Sequence, residues 1–416
     1  MKSSSSFEFA ASGIRVSFLS LIFTVSVFCG SLYVSVTGSD ANNCLSPALP
    51  CRTIQAAVNK SANGDSISVG GGTFAEVVHI EQRENLTISG TAGTVITHPG
   101  LTVNPEGVVI VIDLSRRITV QDLRVTGLPA TDGVRIHDSV GIRINRCTVD
   151  GTGGAGGGFF VFGLSSVSIN DSNIQDNDTG IRVDESSVVN LSGAPFSGGT
   201  SIVQRNGIGV IVRSGVFGLQ GATIIQNNGI GINGTGGTVR SCCEDGATRK
   251  IINNDVGIVL RGTPSLDLRG PLEISGNHNF GIRQFGGFVG INDRVVVRNN
   301  GNAGTAGIAV VGGHLQLLGN APGDIEISNN PGYGLLLSDN SSARIVNTTI
   351  KNNGGHGVRI EALSTAMLFD SVSIFGNHSF DLSCSHNSFE RGDNSGVVRL
   401  SCHGSEHEAD SDGPDH

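Results

Sequence analysis

From about residue 130 onward, short apolar stretches alternate with polar turns, and each turn carries one signature: an Asn, a few residues, then Gly followed by a branched apolar residue. The Gly positions are Gly133, Gly158, Gly180, Gly209, Gly231, Gly257, Gly281, Gly307, Gly334 and Gly357, with Asp381 in a last, degenerate copy. Ten intervals cover 381 minus 133, or 248 residues, a mean near 25. A second apolar stretch precedes the Asn turn, as in Thr223-Ile224-Ile225-Gln226 before Asn227-Asn228 and Arg249-Lys250-Ile251-Ile252 before Asn253-Asn254. Alternation over three to five residues predicts strands, two or three per unit. Such a unit cannot bury its own apolar face. Stacking the units as turns of a parallel coil, about 4.8 Å apart, piles like residues on like and makes one continuous core. Asn at the same corner of each coil fits, because it tolerates the left-handed conformation and can hydrogen-bond to the Asn one turn away. With the weaker copies around Val77–Ile80 and Val108–Ile112, the pattern predicts 12 or 13 coils in a rod of roughly 60 Å.

The N-terminal segment reads differently. Lys2 and Arg15 precede an apolar run from Val16 to Cys29 that ends in small residues, the layout of a secretory signal peptide cleaved after Ser31 and too short for a membrane span. Thr53 is a good N-cap for a short amphipathic helix over Ile54-Gln55-Ala56-Ala57-Val58, followed by the turn Asn63-Gly64-Asp65 and a strand Ser66–Val69. A helix there supplies the lid that the first coil of an open stack needs. The predicted organisation is a signal peptide over 1–31, a cap over 32–76, the coil over 77–402 and a disordered acidic and His-bearing tail over 403–416.

Composition narrows this further. There are 61 Gly in 416 residues, 38% hydrophobic residues, 15% charged residues, 5% aromatics and no Trp. That excludes collagen, a disordered chain and a long helical bundle. Removing residues 1–31 takes away Lys2, Arg15 and Glu8, so the net charge moves from −9 to −10. No concentrated basic face points to nucleic acid. Of the eight cysteines, Cys44 and Cys51 flank a Pro-rich loop and Cys384 and Cys402 bracket the end of the coil, so two disulfides are expected in an oxidising compartment. Cys147 lies about four coils, roughly 19 Å, from the vicinal pair Cys242 and Cys243, too far to bridge to it, and adjacent cysteines rarely bond each other without strain. Nine Asn-X-Ser/Thr sequons occur, including Asn85, Asn177 and Asn347.

The stretch "LYVSVTGSDANNCLSPALPCRTIQAAVNKSANGDSISVGGGTF", together with the N-x-x-G-I copies, resembles secreted right-handed parallel β-helix proteins of the pectate-lyase-like superfamily over nearly the whole chain after residue 31. The resemblance implies that fold, an extracellular or periplasmic location, and a polysaccharide partner. It does not choose among lyases, hydrolases, epimerases, adhesins and inactive members. Enzymes of the superfamily place their site on the outer face of the strand after each Gly. If this chain is a lyase, the resemblance implies a Ca2+ cofactor.

Taking the apolar residue after each Gly as inward, the outward positions are Arg135 and His137, Phe160 and Phe162, Arg182 and Asp184, Ile211 and Arg213, then Asn233, Val259, Arg261 and Arg283. His137, Asp184 and Arg182 are the candidate catalytic residues, His137 as a proton-transfer group and Asp184, helped by Glu185, as acid or metal ligand; Arg135, Arg213, Phe160, Phe162 and Glu185 form the candidate substrate-binding set. The bland alternative is a solvated sheet face with cross-strand pairs. Gly355-His356-Gly357 before Arg359-Ile360 resembles part of the polygalacturonase signature, yet Glu361 stands where a lysine is required and the upstream Asp pair is missing, so His356 reads as a turn residue. The Arg-rich signature of pectate lyases and the Asp-Pro-His-Asp motif of alginate epimerases are absent. The expected function is therefore a secreted carbohydrate-active β-helix that binds or cleaves an acidic polysaccharide. The alternative is a non-catalytic adhesin or scaffold, favoured by the scarcity of stacking platforms: no Trp and only Tyr33 and Tyr333.

Overall fold

The computed structural model describes residues 29–102, 106–154, 156–193, 198–242, 246–385 and 387–402. Residues 1–28 of the expected leader, Cys243 and the 403–416 tail lie outside them. Every strand pairs in parallel with the strand one coil away, and the strands fall into three long sheets. Sheet one has 15 strands, from Ser31–Val34 to Phe389–Gly392. Sheet two has 14, from Val78–Glu81 to Leu400–Ser401, and sheet three has 13, from Gly72–Ala75 to Ser373–Phe375. The chain visits sheets one, three and two in turn and then repeats, which makes a parallel β-helix of the expected coil number.

The core is a set of aligned side-chain columns. In sheet two, Val134, Phe159, Ile181, Val210, Ile232, Ile258 and Ile282 occupy one register position in successive coils, each no more than 2% exposed. Burying one such side chain contributes about 1.5–3 kcal/mol, and β-branched residues suit a pleated surface.

The corner before sheet two holds a ladder of buried asparagines: Asn177, Asn206, Asn228, Asn254, Asn277, Asn300, Asn330, Asn353 and Asn377. Each donates its backbone N–H and its Nδ2 to the Oδ1 of the next, as Asn228 does to Asn254 at 3.0 Å both times. Nδ2 also donates to a backbone carbonyl of the preceding coil. The ladder starts at Thr152, whose Oγ1 donates to Asn177, and ends at Asp381, which accepts from Asn377 and, on its other oxygen, from the Arg399 backbone. The left-handed turn is made by the preceding residue, as at Asn227, Asn253, Asn299, Asn329 and Asn352, with φ between 54° and 56°. Two roles that sequence reasoning gave to one Asn are thus divided between neighbours.

The ladder also explains the repeat Gly. A Cβ on Gly209 would lie 2.6 Å from the Gly231 carbonyl oxygen and 3.1 Å from Asn228 Nδ2. Gly is needed there for close approach, not for an unusual φ.

At the N-terminal end, the helix α1 spans Ile54–Lys60 with Thr53 as N-cap, its side chain accepting from Ala56 N. Ile54, Ala57 and Val58 are buried against the first coil. Glu76 accepts from the free N–H groups of Ile54 and Gln55 at 2.9 Å, meeting donors that a helix start leaves open. Strands Ser31–Val34, Ser66–Val69 and Gly72–Ala75, on either side of the helix in sequence, already run in the sheets. Cys44–Cys51 and Cys384–Cys402 are disulfides, with Cα atoms 5.0 and 4.5 Å apart. Cys147 is free and buried, while Cys242 is disulfide-bonded. Among the described residues no helix is long and apolar enough to cross a membrane.

Candidate functional site

The outer face of sheet two carries the sequence candidates. Strands Asp132–His137, Gly157–Phe162, Thr179–Val183 and Ile208–Val212 follow one another in register, so that Arg135, Phe160, Arg182 and Ile211 form one outward column. His137 and Phe162 share a second outward column. Inward and outward residues alternate as the sequence pattern requires.

These side chains touch in a chain. The imidazole of His137 stacks on Phe162 with centroids 4.5 Å apart, and Phe162 stacks on Phe160 at 4.6 Å. The Arg182 guanidinium lies over the Phe160 ring, 4.3 Å from its centroid. From His137 to Arg182 the stack spans two coil steps, about 10 Å. A cleft of ≈ 460 Å³ opens beside it, with Arg135, Phe160, Arg182, Glu106 and Leu101 in its wall.

Each charged member has a partner. Arg182 donates from Nε and Nη2 to Asp184 Oδ2 at 2.8 and 2.7 Å, and Arg213 lies 3.9 Å from the same oxygen. The Asp184 side chain is only 11% exposed and its Oδ1 is buried without a hydrogen-bond partner. Asp184 thus holds Arg182 through one of its two oxygens. Glu185 follows in a left-handed turn, exposed beside the cluster. Arg135 pairs with Asp132 at 2.8 Å. His137 Nδ1 is 2.8 Å from Asp113 Oδ1, and Nε2 is 3.4 Å from Asp138.

Asp113, Asp132 and Asp138 were not singled out from the sequence. Asp113 could have been: it aligns with His137 one coil earlier, at the end of the weak copy Val108–Ile112. With these residues the cluster holds three arginines and five carboxylates. Among the described residues no group of three or more His, Cys, Asp or Glu could hold a metal ion. The residues present do not fit a resident Ca2+, and no chemistry is routed through one.

His356 sits between strands, stacked between Tyr333 and Phe380 with centroids 5.6 and 6.0 Å away. Its Nδ1 accepts from Phe380 N at 3.1 Å, and burial, with Arg359 beside it, lowers its pKa. Arg359 pairs with Glu361 at 3.3 Å.

Comparison with known proteins agrees on the fold. Residues 228–394 match the family described as right handed beta helix region. No curated protein matches the sequence. Among solved structures, the A-module of the Azotobacter vinelandii mannuronan C-5 epimerase AlgE4 is 15% identical with TM-score 0.50, covering 82% of this chain and 95% of that one. The corresponding module of AlgE6, from the same organism, is also 15% identical, with TM-score 0.49 over 82% and 94%. A rhamnogalacturonan lyase is 12% identical, with TM-score 0.39 over 76% and 82%. The chain is a right-handed parallel β-helix.

Proposed function

We propose that the outer face of sheet two is a carbohydrate-binding surface and that the protein, exported to an oxidising compartment, binds and acts on an acidic polysaccharide. The observation that carries this reading is the unbroken stack His137–Phe162–Phe160–Arg182 beside an open cleft. Flat apolar rings grip sugar faces, and guanidinium N–H groups not used by Asp184 or Asp132 are suited to carboxylates. A chain running along the coil axis meets one outward side chain of each column every 4.8 Å or so. Within this surface His137 is the proton-transfer group: Asp113 holds the ring through Nδ1, and the other nitrogen faces Asp138 at 3.4 Å. Asp184 positions Arg182. The reaction is of the lyase or hydrolase type. The two disulfides support the compartment.

One observation favours a second reading, a non-catalytic adhesive or scaffolding rod. All three arginines of the cluster are already paired, and carboxylates outnumber them. The test presents the purified protein to uronic-acid polymers and to a neutral glucan. Binding is followed by affinity electrophoresis, and turnover by ultraviolet absorbance of unsaturated uronates and by new reducing ends. Expected are retention on a uronate polymer, at least tenfold weaker after Phe160→Ala with Phe162→Ala, and product that disappears in His137→Ala. Binding without product from any polymer establishes the scaffold reading; neither binding nor product overturns the carbohydrate reading.

A further inference from the structure

Farther along the same face lies a cluster with the opposite charge balance. In strand Phe280–Phe285 the Arg283 guanidinium lies over two rings of its own strand, 4.8 Å from the Phe280 centroid and 4.6 Å from that of Phe285. Arg261, one coil earlier, lies 5.8 Å from the Phe285 ring. Its Nη1 reaches Asn233 Oδ1 at 3.4 Å. Among the described residues Arg283 is the only guanidinium over two aromatic rings, and neither it nor Arg261 has a carboxylate within ion-pair distance. Arg283, Phe280 and Phe285 are half-buried and Arg261 is exposed.

We infer that Arg283, with Arg261, is an anion-binding subsite that takes a carboxylate or sulfate group of an acidic oligosaccharide. The inference rests on the carbohydrate reading above and says where the acidic group is held. A guanidinium whose faces are covered by rings is partly dehydrated and held in one orientation, while its N–H edge stays open. Little further side-chain entropy is lost when a planar anion accepts two parallel hydrogen bonds from that edge. The rings add a cation–π attraction that keeps the side chain in place without neutralising it. The first cluster lacks this feature, since Arg135 and Arg182 are each already paired with a carboxylate. Register ties the two together: Arg182, Ile211, Asn233, Val259 and Arg283 are one outward column. Arg283 is therefore four coil steps, about 19 Å, beyond Arg182. The column residues between, Ile211, Asn233 and Val259, are uncharged, so an oligosaccharide along this column would be gripped by rings at one end and by charge at the other.

The experiment uses the full protein and two variants, Arg283→Met, which keeps the side-chain length, and Arg283→Lys, which keeps the charge. Probes are tetragalacturonate, its methyl ester and inorganic sulfate. Affinity is measured by calorimetry, folding by thermal melting, and site occupancy by the Nε resonances of arginine-labelled protein. The expected result is a tenfold or greater loss of tetragalacturonate affinity in Arg283→Met, a smaller loss in Arg283→Lys, unchanged binding of the methyl ester, and a sulfate-induced shift of the Arg283 resonance. Unchanged tetragalacturonate affinity in Arg283→Met, with loss on Phe160→Ala, overturns the subsite and leaves the carbohydrate reading intact. A sulfate shift at Arg283 in a protein that binds no oligosaccharide supports the anion site and overturns the carbohydrate reading. Neither a shift nor an effect of Arg283→Met overturns the subsite.

Discussion

An amide inside the asparagine ladder has its donors and its acceptor engaged. Asn254 accepts from the N–H and Nδ2 of Asn228 and donates to Asn277 and to the Ile225 carbonyl. Asn254→Ala leaves two buried donors without an acceptor, each costing about 1–3 kcal/mol. The expected destabilisation in urea unfolding is about 3–5 kcal/mol, with m unchanged. Asn254→Asp keeps the acceptor but turns an oxygen onto the oxygens of Asn277 and Ile225. Proton uptake restores a donor there, so its folded-state pKa is raised and its stability deficit shrinks as pH falls. A deficit independent of pH would show that the donor side of the ladder does not matter. Cys147 behaves as another buried proton holder: burial pushes its thiol up to about 12. The unfolded thiol ionises near 8.5, so the native state binds the extra proton and stability declines as pH rises from about 9 toward 12, by up to about 1.4 kcal/mol per pH unit. Relative to Cys147→Ala, unfolding curves of the parent protein fall away above pH 9; parallel curves would contradict the assignment.

At the level of elements, strands and turns were legible because a period near 25 with alternating residues leaves few alternatives. The inward column was readable for the same reason: once Val134 or Ile232 is assigned to the core, the alternate residues must face out. Thr53 and the helix behind it were legible from capping chemistry alone, and the two disulfides from cysteine placement. The contacts within the candidate site were not. Alternation places Arg182 and Asp184 on one face but says nothing of depth, and only the packed structure puts Asp184 below the surface. Phe280 was missed because it precedes the repeat Gly, outside the alternating register; Phe285 stands at the same place after its Gly as His137 and Phe162, so the alternation could have found it. The Gly–Asn coupling was hidden for a different reason: it joins residues of different coils, so a single repeat shows the Gly and the Asn without the clash that links them.

For the whole molecule, stability resides in interfaces between neighbouring coils, and coil length varies: successive ladder asparagines lie from 22 to 30 residues apart. Removing a whole coil should therefore be tolerated where removing part of one is not. Deleting residues 330–352, the 23 residues from one ladder Asn to just before the next, brings Asn353 to the position of Asn330 and keeps every column in phase. This variant is expected to fold with a circular dichroism spectrum of the same shape and a modestly lower Tm. Deleting only 330–341 shifts the sheets out of register and is expected to yield no cooperative melt. Equal behaviour of the two deletions would contradict nearest-neighbour stacking. The direction of the asparagine ladder adds a temporal consequence. Every amide donates toward the coil that follows it, so a nascent chain emerging N-terminus first always ends in a coil whose donors await an acceptor not yet synthesised. The series closes only when Asp381 and Arg399 arrive, next to the Cys384–Cys402 bond. Completion of the ladder is thus tied to the arrival of Asp381 and Arg399, and its growing end stays unsealed until they are made.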